Sequence, residues 1–151
     1  MRRSEREIKD RGVIDVIIRG SQVCRIGLAV DGEPYVVPVS FGYDGQCLYF
    51  HGAAEGKKMD MLRRNPRVCF EFDIVKQLVE ADKACDWGMK YQSVIGFGTA
   101  EILENPQEKA AALAVIMRQY SPREFSFPPQ AVDRVCVVKI TIESLTGKHG
   151  R

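Results

Sequence analysis

The sequence has few of the features that mark nucleic-acid-binding, membrane or secreted proteins. Its formal net charge of only +2 is too small to indicate a nucleic acid or a membrane surface as partner. No stretch approaches the length of apolar sequence that a membrane-spanning helix requires. The first residues are charged and lead into no apolar segment, so we expect no signal peptide and a cytoplasmic location.

The sequence also lacks the common signatures of disulfide, metal and catalytic sites. Its five cysteines have irregular spacing and form no CxxC pair, so neither a disulfide framework nor a metal site is indicated. Four of them lie in apolar, strand-like segments, which predicts buried, reduced thiols. The fifth, Cys85, is a candidate reactive thiol without an identifiable neighbouring base. No GxSxG, HExxH, P-loop or GxGxxG motif is present.

What is present is the pattern of a small β protein. The 151 residues, 45% apolar and 28% charged, fit one globular domain spanning residues 1–151. Alternating apolar residues and short turns predict six or seven mostly antiparallel strands with about three helices, hence a mainly β fold, a β-barrel with added helices. The strands are predicted at 23–30, 35–43, 46–51, 67–73, 75–82, 91–103 and 134–145, and the helices at 13–19, 57–64 and 105–120.

Pro38 lies inside the second predicted strand and constrains where that strand can sit. Proline has no N–H group to donate to a neighbouring strand. We therefore expect this strand at an edge of the sheet, or at a bulge beside something other than a strand.

The segment that joins the third strand to the second helix combines a histidine, glycines and two lysines. The strand ends at His51, a loop with Gly52 and Gly56 follows, and Lys57 and Lys58 begin the helix. A helix N-terminus already carries positive partial charge, so two lysines there favour an anion between them, such as a phosphate. Two plainer interpretations stay open: the lysines are a solvated pair on a surface helix, and His51 is a hydrogen-bonded residue at a barrel end. In the functional interpretation, His51 lies at the mouth of a ligand site and can donate a proton or a hydrogen bond to a bound substrate.

The segment 82–91 contains the single tryptophan, Trp87, among charged residues, glycine and other large side chains. Neither helical nor strand periodicity explains it. Loops of this composition often line binding sites or subunit interfaces. A tryptophan that plugs the space beneath a loop is an equally good interpretation.

In their order along the chain, several stretches resemble the pyridoxamine-phosphate-oxidase-like FMN-binding split barrels. The stretches are 36–43, 48–53, 56–58 and 62–68, read as VVPVSFGY, LYFHGA, GKK and LRRNPRV. Two further stretches, 85–91 (CDWGMKY) and 93–98 (SVIGFG), are similar to the nitroimidazole-resistance (Nim) branch of that family. The resemblance covers residues 2–148, nearly the whole chain.

The resemblance implies a homodimer that holds FMN at the subunit interface. In the family a two-residue element at a strand end and an Arg-Lys pair hold the flavin phosphate, and a strand lies along the isoalloxazine edge. Lys57 stands where the family has arginine, so it keeps the charge but loses the bidentate fork. Ser93 aligns with a flavin-contacting glutamine, and Trp87 would close the pocket from its own or the partner subunit. The implied cofactor-binding residues are Val37, Pro38, Val39, Ser40, Phe50, His51, Lys57, Lys58, Trp87 and Ser93.

The function that this resemblance implies is that of an FMN-dependent oxidoreductase reducing a small, electron-accepting, nitroimidazole-like substrate. FMN would carry the redox chemistry, and His51 would be the catalytic residue that orients or protonates the substrate. NADH, NADPH or a redox protein would supply electrons. The alternatives are a binding module that carries flavin, deazaflavin or haem without turnover, with His51 as an iron ligand, and a pyridoxamine phosphate oxidase. The paired substrate-phosphate residues of the true oxidases have no clear match here.

Overall fold

The computed structural model describes residues 3–150, which form eight strands and four α-helices. Two short 3₁₀ turns, Ser4–Arg6 and Ala84–Asp86, accompany them. The strands are β1 (Glu7–Ile8), β2 (Cys24–Val30), β3 (Glu33–Val39), β4 (Gly42–Tyr43), β5 (Cys47–Gly52), β6 (Arg67–Val79), β7 (Gly88–Leu103) and β8 (Cys136–His149). The helices are α1 (Arg11–Gly20), α2 (Lys57–Arg64), α3 (Pro106–Tyr120) and α4 (Pro129–Arg134).

The strands form a single antiparallel sheet in the order β3-β2-β6-β7-β8-β5-β4, and β1 adds to β8. This arrangement is a split β-barrel, as the family resemblance implied, with eight strands where six or seven were predicted. The inward faces of the strands enclose a core whose largest fully buried side chains include Phe41, Phe50, Phe70 and Phe72. The twist of an antiparallel sheet of this size lets it curl around such a core.

Local sequence signals fix the ends of α1 and α3. The carboxylate of Asp10 accepts hydrogen bonds from the first backbone N–H groups of α1, and the amide oxygen of Asn105 does the same for α3. Pro106 occupies the first position of α3, where its missing N–H costs nothing. One face of α1, formed by Ile14, Ile17 and Ile18, is apolar and buried in the core.

The edge position predicted from Pro38 is confirmed, because β3 is the outermost strand at one end of the sheet. The predicted strand 35–43 is, however, two strands: β3 ends at Val39, and β4 is a short separate pair with β5. Between the two strands, the Phe41 N–H donates to the Tyr120 hydroxyl of α3 at 2.9 Å instead of to a neighbouring strand.

Several other predicted bounds are wrong. Residues 75–79 are not a separate strand but continue β6, with a register shift between Val75 and Gln77, and β7 begins already at Gly88. The last strand continues beyond the predicted 134–145, because β8 extends to His149 and pairs with β1 and β7. A short helix, α4, ends at Arg134, where the last strand was predicted to begin. In each case pairing or packing with distant residues overrides the local pattern.

Within residues 3–150, no helix is both long enough and apolar enough to cross a membrane.

Candidate functional site

The end of β5 places Phe50 and His51 on opposite sides of the sheet. Side chains alternate along a strand, so the Phe50 ring lies in the core, 1% exposed, while His51 faces outward and is exposed. The two residues pair with Val138 and Val137 of β8, which hold the strand end in place. His51 is therefore available to a molecule outside the barrel, whereas Phe50 can offer a ligand only its backbone.

The α2 N-terminus lies one short loop beyond His51. Gly56 precedes the helix with φ 106°, a conformation that favours glycine, and the helix begins at Lys57. No side chain of the described residues caps this N-terminus by a hydrogen bond. Its first backbone N–H groups and the positive end of the helix dipole are therefore open to an anion.

Lys58 folds back from the helix toward the end of β5. Its ammonium nitrogen lies 5.1 Å from the centroid of the Phe50 ring, and a Cβ atom built on Gly52 would lie 3.4 Å from it. No carboxylate among residues 3–150 lies within 4.0 Å of this ammonium. The end of β5 and the start of α2 thus form one corner of the molecule. The Lys58 ammonium in this corner pairs with no carboxylate of residues 3–150.

Lys57 points to a different neighbour. Its ammonium donates to a Glu33 carboxylate oxygen at 2.5 Å and lies 4.8 Å from the centroid of the Tyr35 ring. The hydrogen bond with Glu33 raises the pKa of Lys57 and lowers the pKa of Glu33. The predicted lysine pair therefore divides: Lys57 contacts the β2–β3 hairpin, and Lys58 contacts β5.

Side chains also alternate between the core and solvent in residues 37–40, the segment predicted to lie along a flavin ring. Val37 and Val39 turn toward the core, while Pro38 and Ser40 are exposed. Pro38 pairs with Arg25 of β2 on one side, and the other edge of β3 carries no neighbouring strand from residues 3–150. This outer edge can accept a ligand along its backbone.

Ser93, in β7, and Trp87, just before β7, lie far from His51 along the sheet. Ser93 is opposite Asp73 and Lys148, whereas His51 aligns across β8 with Leu103, ten residues farther along β7. At a rise of about 3.4 Å per residue, that is roughly 34 Å along the strand. The Trp87 indole N–H donates to the Ala81 carbonyl at 2.6 Å, which fixes the tryptophan at the tip of the β6–β7 ribbon. One chain does not assemble all the predicted residues at one corner.

The β6–β7 ribbon, residues 75–91, carries large apolar side chains in contact with solvent. Val75, Leu78, Trp87 and Met89 are each more than two-fifths exposed. Two more exposed apolar side chains, Val36 and Phe97, lie on the outer face of the sheet. They are the ends of one row over β3, β2, β6 and β7, in which the half-buried Gly27 and Cys69 lie between them. Neighbouring apolar groups left in water on one face are typical of surfaces that another molecule covers.

Glu33 and Tyr35 are the residues near this corner that the sequence did not identify. Glu33 follows Asp31 and Gly32 in a polar turn, and nothing in that pattern indicates contact with a helix 24 residues farther on. Glu33 also borders a cleft of about 390 Å³ between the β2–β3 turn and α2, lined by Val30, Asp31, Glu33, Lys57, Asp60, Met61 and Arg64. Among residues 3–150, no cluster of three or more histidine, cysteine or carboxylate side chains is placed to hold a metal ion.

Comparison with known proteins identifies the family. The family model described as "Pyridoxamine 5'-phosphate oxidase" matches residues 10–149. A crystal structure from Bacteroides thetaiotaomicron VPI-5482, of a candidate 5-nitroimidazole antibiotic resistance protein, is 38% identical, with a TM-score of 0.85 over 95% of this chain and 86% of that one. A FAD-binding protein from Mesorhizobium loti is 25% identical, with a TM-score of 0.71 over 97% of this chain and 98% of the other.

Two other matches are weaker in sequence. The flavocytochrome Anf3 from Azotobacter vinelandii shares the fold, with a TM-score of 0.86 at 21% identity, over 100% of this chain and 72% of that one. A curated, uncharacterized protein from Rhizobium meliloti (strain 1021) is 29% identical over 55 residues, so the match spans 36% of each chain. The match over residues 10–149 and the split-barrel fold place this chain in the pyridoxamine 5'-phosphate oxidase family, with similarity to its nitroimidazole-resistance branch.

Proposed function

We propose that this protein binds FMN and acts as an FMN-dependent oxidoreductase on a small, electron-accepting substrate. The observation that carries the proposal is the corner formed by Lys58, the open N-terminus of α2 and the end of β5. A lysine ammonium that pairs with no carboxylate of residues 3–150, beside free backbone N–H groups, is suited to a phosphate. Lys58 and the helix start would hold the phosphate, with Lys57 as the second cation.

The outer edge of β3 supports a place for the flavin ring. The exposed Pro38 and Ser40 and the unpaired backbone edge offer a flat surface with hydrogen-bonding groups. Bound there, FMN would supply electron transfer that amino-acid side chains cannot. His51, exposed at the end of β5 on the side opposite Phe50, would orient the substrate and donate a proton to it. Electrons would reach FMN from NADH, NADPH or a redox protein.

A homodimer would complete the site. The exposed apolar ribbon at residues 75–91 and the row formed by Val36 and Phe97 are surfaces that a second copy can cover. Because Ser93 and Trp87 lie far along the sheet from His51 in one chain, they would contribute to the partner's site. This arrangement accounts for apolar exposure that a monomer leaves unexplained.

The similarity to the Bacteroides thetaiotaomicron protein supports a nitroimidazole-like substrate. A nitro group accepts electrons readily and has no net charge that would require a further cation. We name this substrate class as part of the proposal, with cytoplasmic redox metabolism as its setting.

The test is the visible spectrum and its dependence on Lys58. Purified protein reconstituted with FMN should keep a flavin absorbance band after gel filtration, elute as a dimer, and bleach with NADH or NADPH. Lys58→Glu should fold, judged by circular dichroism, yet lose the band. Lys9→Glu, an exposed charge reversal outside this corner, should retain it. A folded wild-type protein that retains no flavin would exclude the proposal.

The same experiment separates the alternatives. Retained flavin that no donor reduces would indicate a non-catalytic module, and a deazaflavin would be recognised by its shorter-wavelength band. Since His51 is exposed, haem ligation is chemically open; it predicts a Soret band that His51→Ala removes. Turnover of pyridoxamine phosphate would assign the third alternative, the oxidase.

A further inference from the structure

The turn between β2 and β3 carries two acidic side chains that both reach α2. Glu33 pairs with Lys57, the first residue of the helix, and Asp31 pairs with Arg64, the last. Asp31 and Gly32 both have positive φ, 52° and 81°, the backbone of a tight type I′ hairpin turn. A turn of this kind is well defined, so the backbone fixes where the two acidic side chains leave the turn relative to the helix.

The Glu33 carboxylate pairs with the Lys57 ammonium, which is one of the cations that would bind the phosphate. Lys57 has one ammonium group, whose contacts here are the Glu33 oxygen at 2.5 Å and the face of the Tyr35 ring at 4.8 Å. Both partners of the ion pair are more than half exposed. An exposed pair of this type is weak, so an incoming dianion at the helix N-terminus can displace the carboxylate.

We propose that Glu33 is a built-in competitor of the flavin phosphate for Lys57, and so sets how strongly the site prefers phosphorylated flavin. The carboxylate mimics one charged oxygen of a phosphate in the absence of the ligand. Binding of the phosphate releases it toward solvent. This inference rests on the proposed function, because it concerns the same anion site.

Asp31 offers a matched comparison. It lies in the same turn, carries the same charge and contacts the same helix, but its partner Arg64 is at the end remote from the anion site. A general electrostatic effect of removing one negative charge near α2 would be similar for both residues. Competition for Lys57 is specific to Glu33.

The experiment measures dissociation constants of FMN and riboflavin for wild type, Glu33→Gln and Asp31→Asn by fluorescence titration. Glu33→Gln should bind FMN roughly two- to five-fold more tightly, as expected for a weak exposed pair, with riboflavin unchanged. Asp31→Asn should leave both constants unchanged. In a Lys57→Gln background, Glu33→Gln should no longer tighten FMN, because the cation for which it competes is absent.

The outcomes distinguish this inference from the proposed function. If wild type binds FMN and Glu33→Gln binds it no more tightly, or Asp31→Asn matches Glu33→Gln, the competition is overturned while the flavin site stands. If no variant binds any flavin, the proposed function fails. The competition is then decided by inorganic phosphate, titrated against the Gly56 and Lys57 amide resonances: tighter binding by Glu33→Gln supports it, and equal binding overturns it.

Discussion

The Lys58 ammonium lies 5.1 Å from the centroid of the Phe50 ring, over the last residues of β5. Phe50 is locked in the core, so the ring is a fixed support for a flexible lysine. Lys57, one residue earlier, is instead engaged with Glu33. Two adjacent lysines that look equivalent in the sequence therefore differ in how much charge they can offer a ligand.

The first prediction concerns this difference. Lys58→Met should weaken FMN binding by about ten- to a hundred-fold, the range for losing a hydrogen bond between charged groups. Lys57→Met should weaken it by less than about five-fold, because its removal also releases an exposed ion pair of small energy. Fluorescence titration of both variants measures the ratio. A larger loss from Lys57→Met than from Lys58→Met would contradict this assignment of roles.

The second prediction concerns the contact between β4 and α3. A Cβ atom on Gly42 would lie 2.5 Å from the backbone nitrogen of Ile116, and a helix backbone cannot yield as a side chain can. Gly42→Ala should therefore reduce the free energy of unfolding by about 1–3 kcal/mol, measured by urea denaturation.

Gly20→Ala is the matched control for this substitution. Its added Cβ would meet only the Ile74 side chain at 3.4 Å, an ordinary contact, and alanine favours the helical position. Its stability should be unchanged or slightly increased. Equal losses in the two variants would mean that β4 and α3 are not in the close contact described.

The third prediction concerns the Asp44 turn and pH. Partial burial raises the pKa of Asp44, but hydrogen bonds from the Gln46 and Cys47 N–H groups and the Tyr49 hydroxyl outweigh burial and lower the pKa overall. A carboxyl group whose pKa is lower in the folded than in the unfolded state stabilises the protein at pH values above its unfolded-state pKa. This stabilisation is lost as the pH falls through the folded-state pKa.

Asp44→Asn should consequently cost about 1 kcal/mol at pH 7, and the difference from wild type should shrink below about pH 4. Thermal unfolding across pH 2.5–7 measures this trend. The exposed Asp82→Asn, in the connection between β6 and β7, is the comparison. A cost that stays constant down to the lowest pH would exclude the charge of Asp44 as its cause.

The fourth prediction concerns thiol reactivity. Cys85 is exposed, whereas Cys24, Cys47 and Cys136 are buried, and burial raises the pKa of the Cys24 thiol. Brief treatment of folded protein with iodoacetamide at pH 8 should modify Cys85 first, with the buried thiols reacting only after denaturation. Peptide mass spectrometry identifies the sites. Modification of Cys24 in the native protein before Cys85 would contradict the burial described.

The sequence was most informative where a local signal and the tertiary structure agree. Pro38 located an edge strand, Asn105-Pro106 located the start of α3, and the bounds of α2 at 57–64 match those predicted. These features depend on backbone chemistry within a few residues. The family resemblance, carried by ordered short stretches, supplied the split barrel.

Other features depend on contacts between distant residues and left no local signal. The continuity of β6 through residue 76 depends on a register shift against β7, and the extension of β8 to His149 depends on pairing with β1. The different contacts of Lys57 and Lys58 depend on Glu33, and the sequence of the turn that contains Glu33 does not indicate contact with a helix. Charge and periodicity locate such residues on their own element but not their partners on another.

The position of β8 has a consequence for biosynthesis. It lies between β7 and β5 in the sheet and also pairs with β1, yet the ribosome makes it after all three. Until it emerges, β5 and β7 each expose an unsatisfied backbone edge, the kind of surface that recruits strands from other nascent chains. The sheet cannot be completed until β8 has been made, so chaperone dependence should be greatest for ribosome-bound intermediates that end before residue 136.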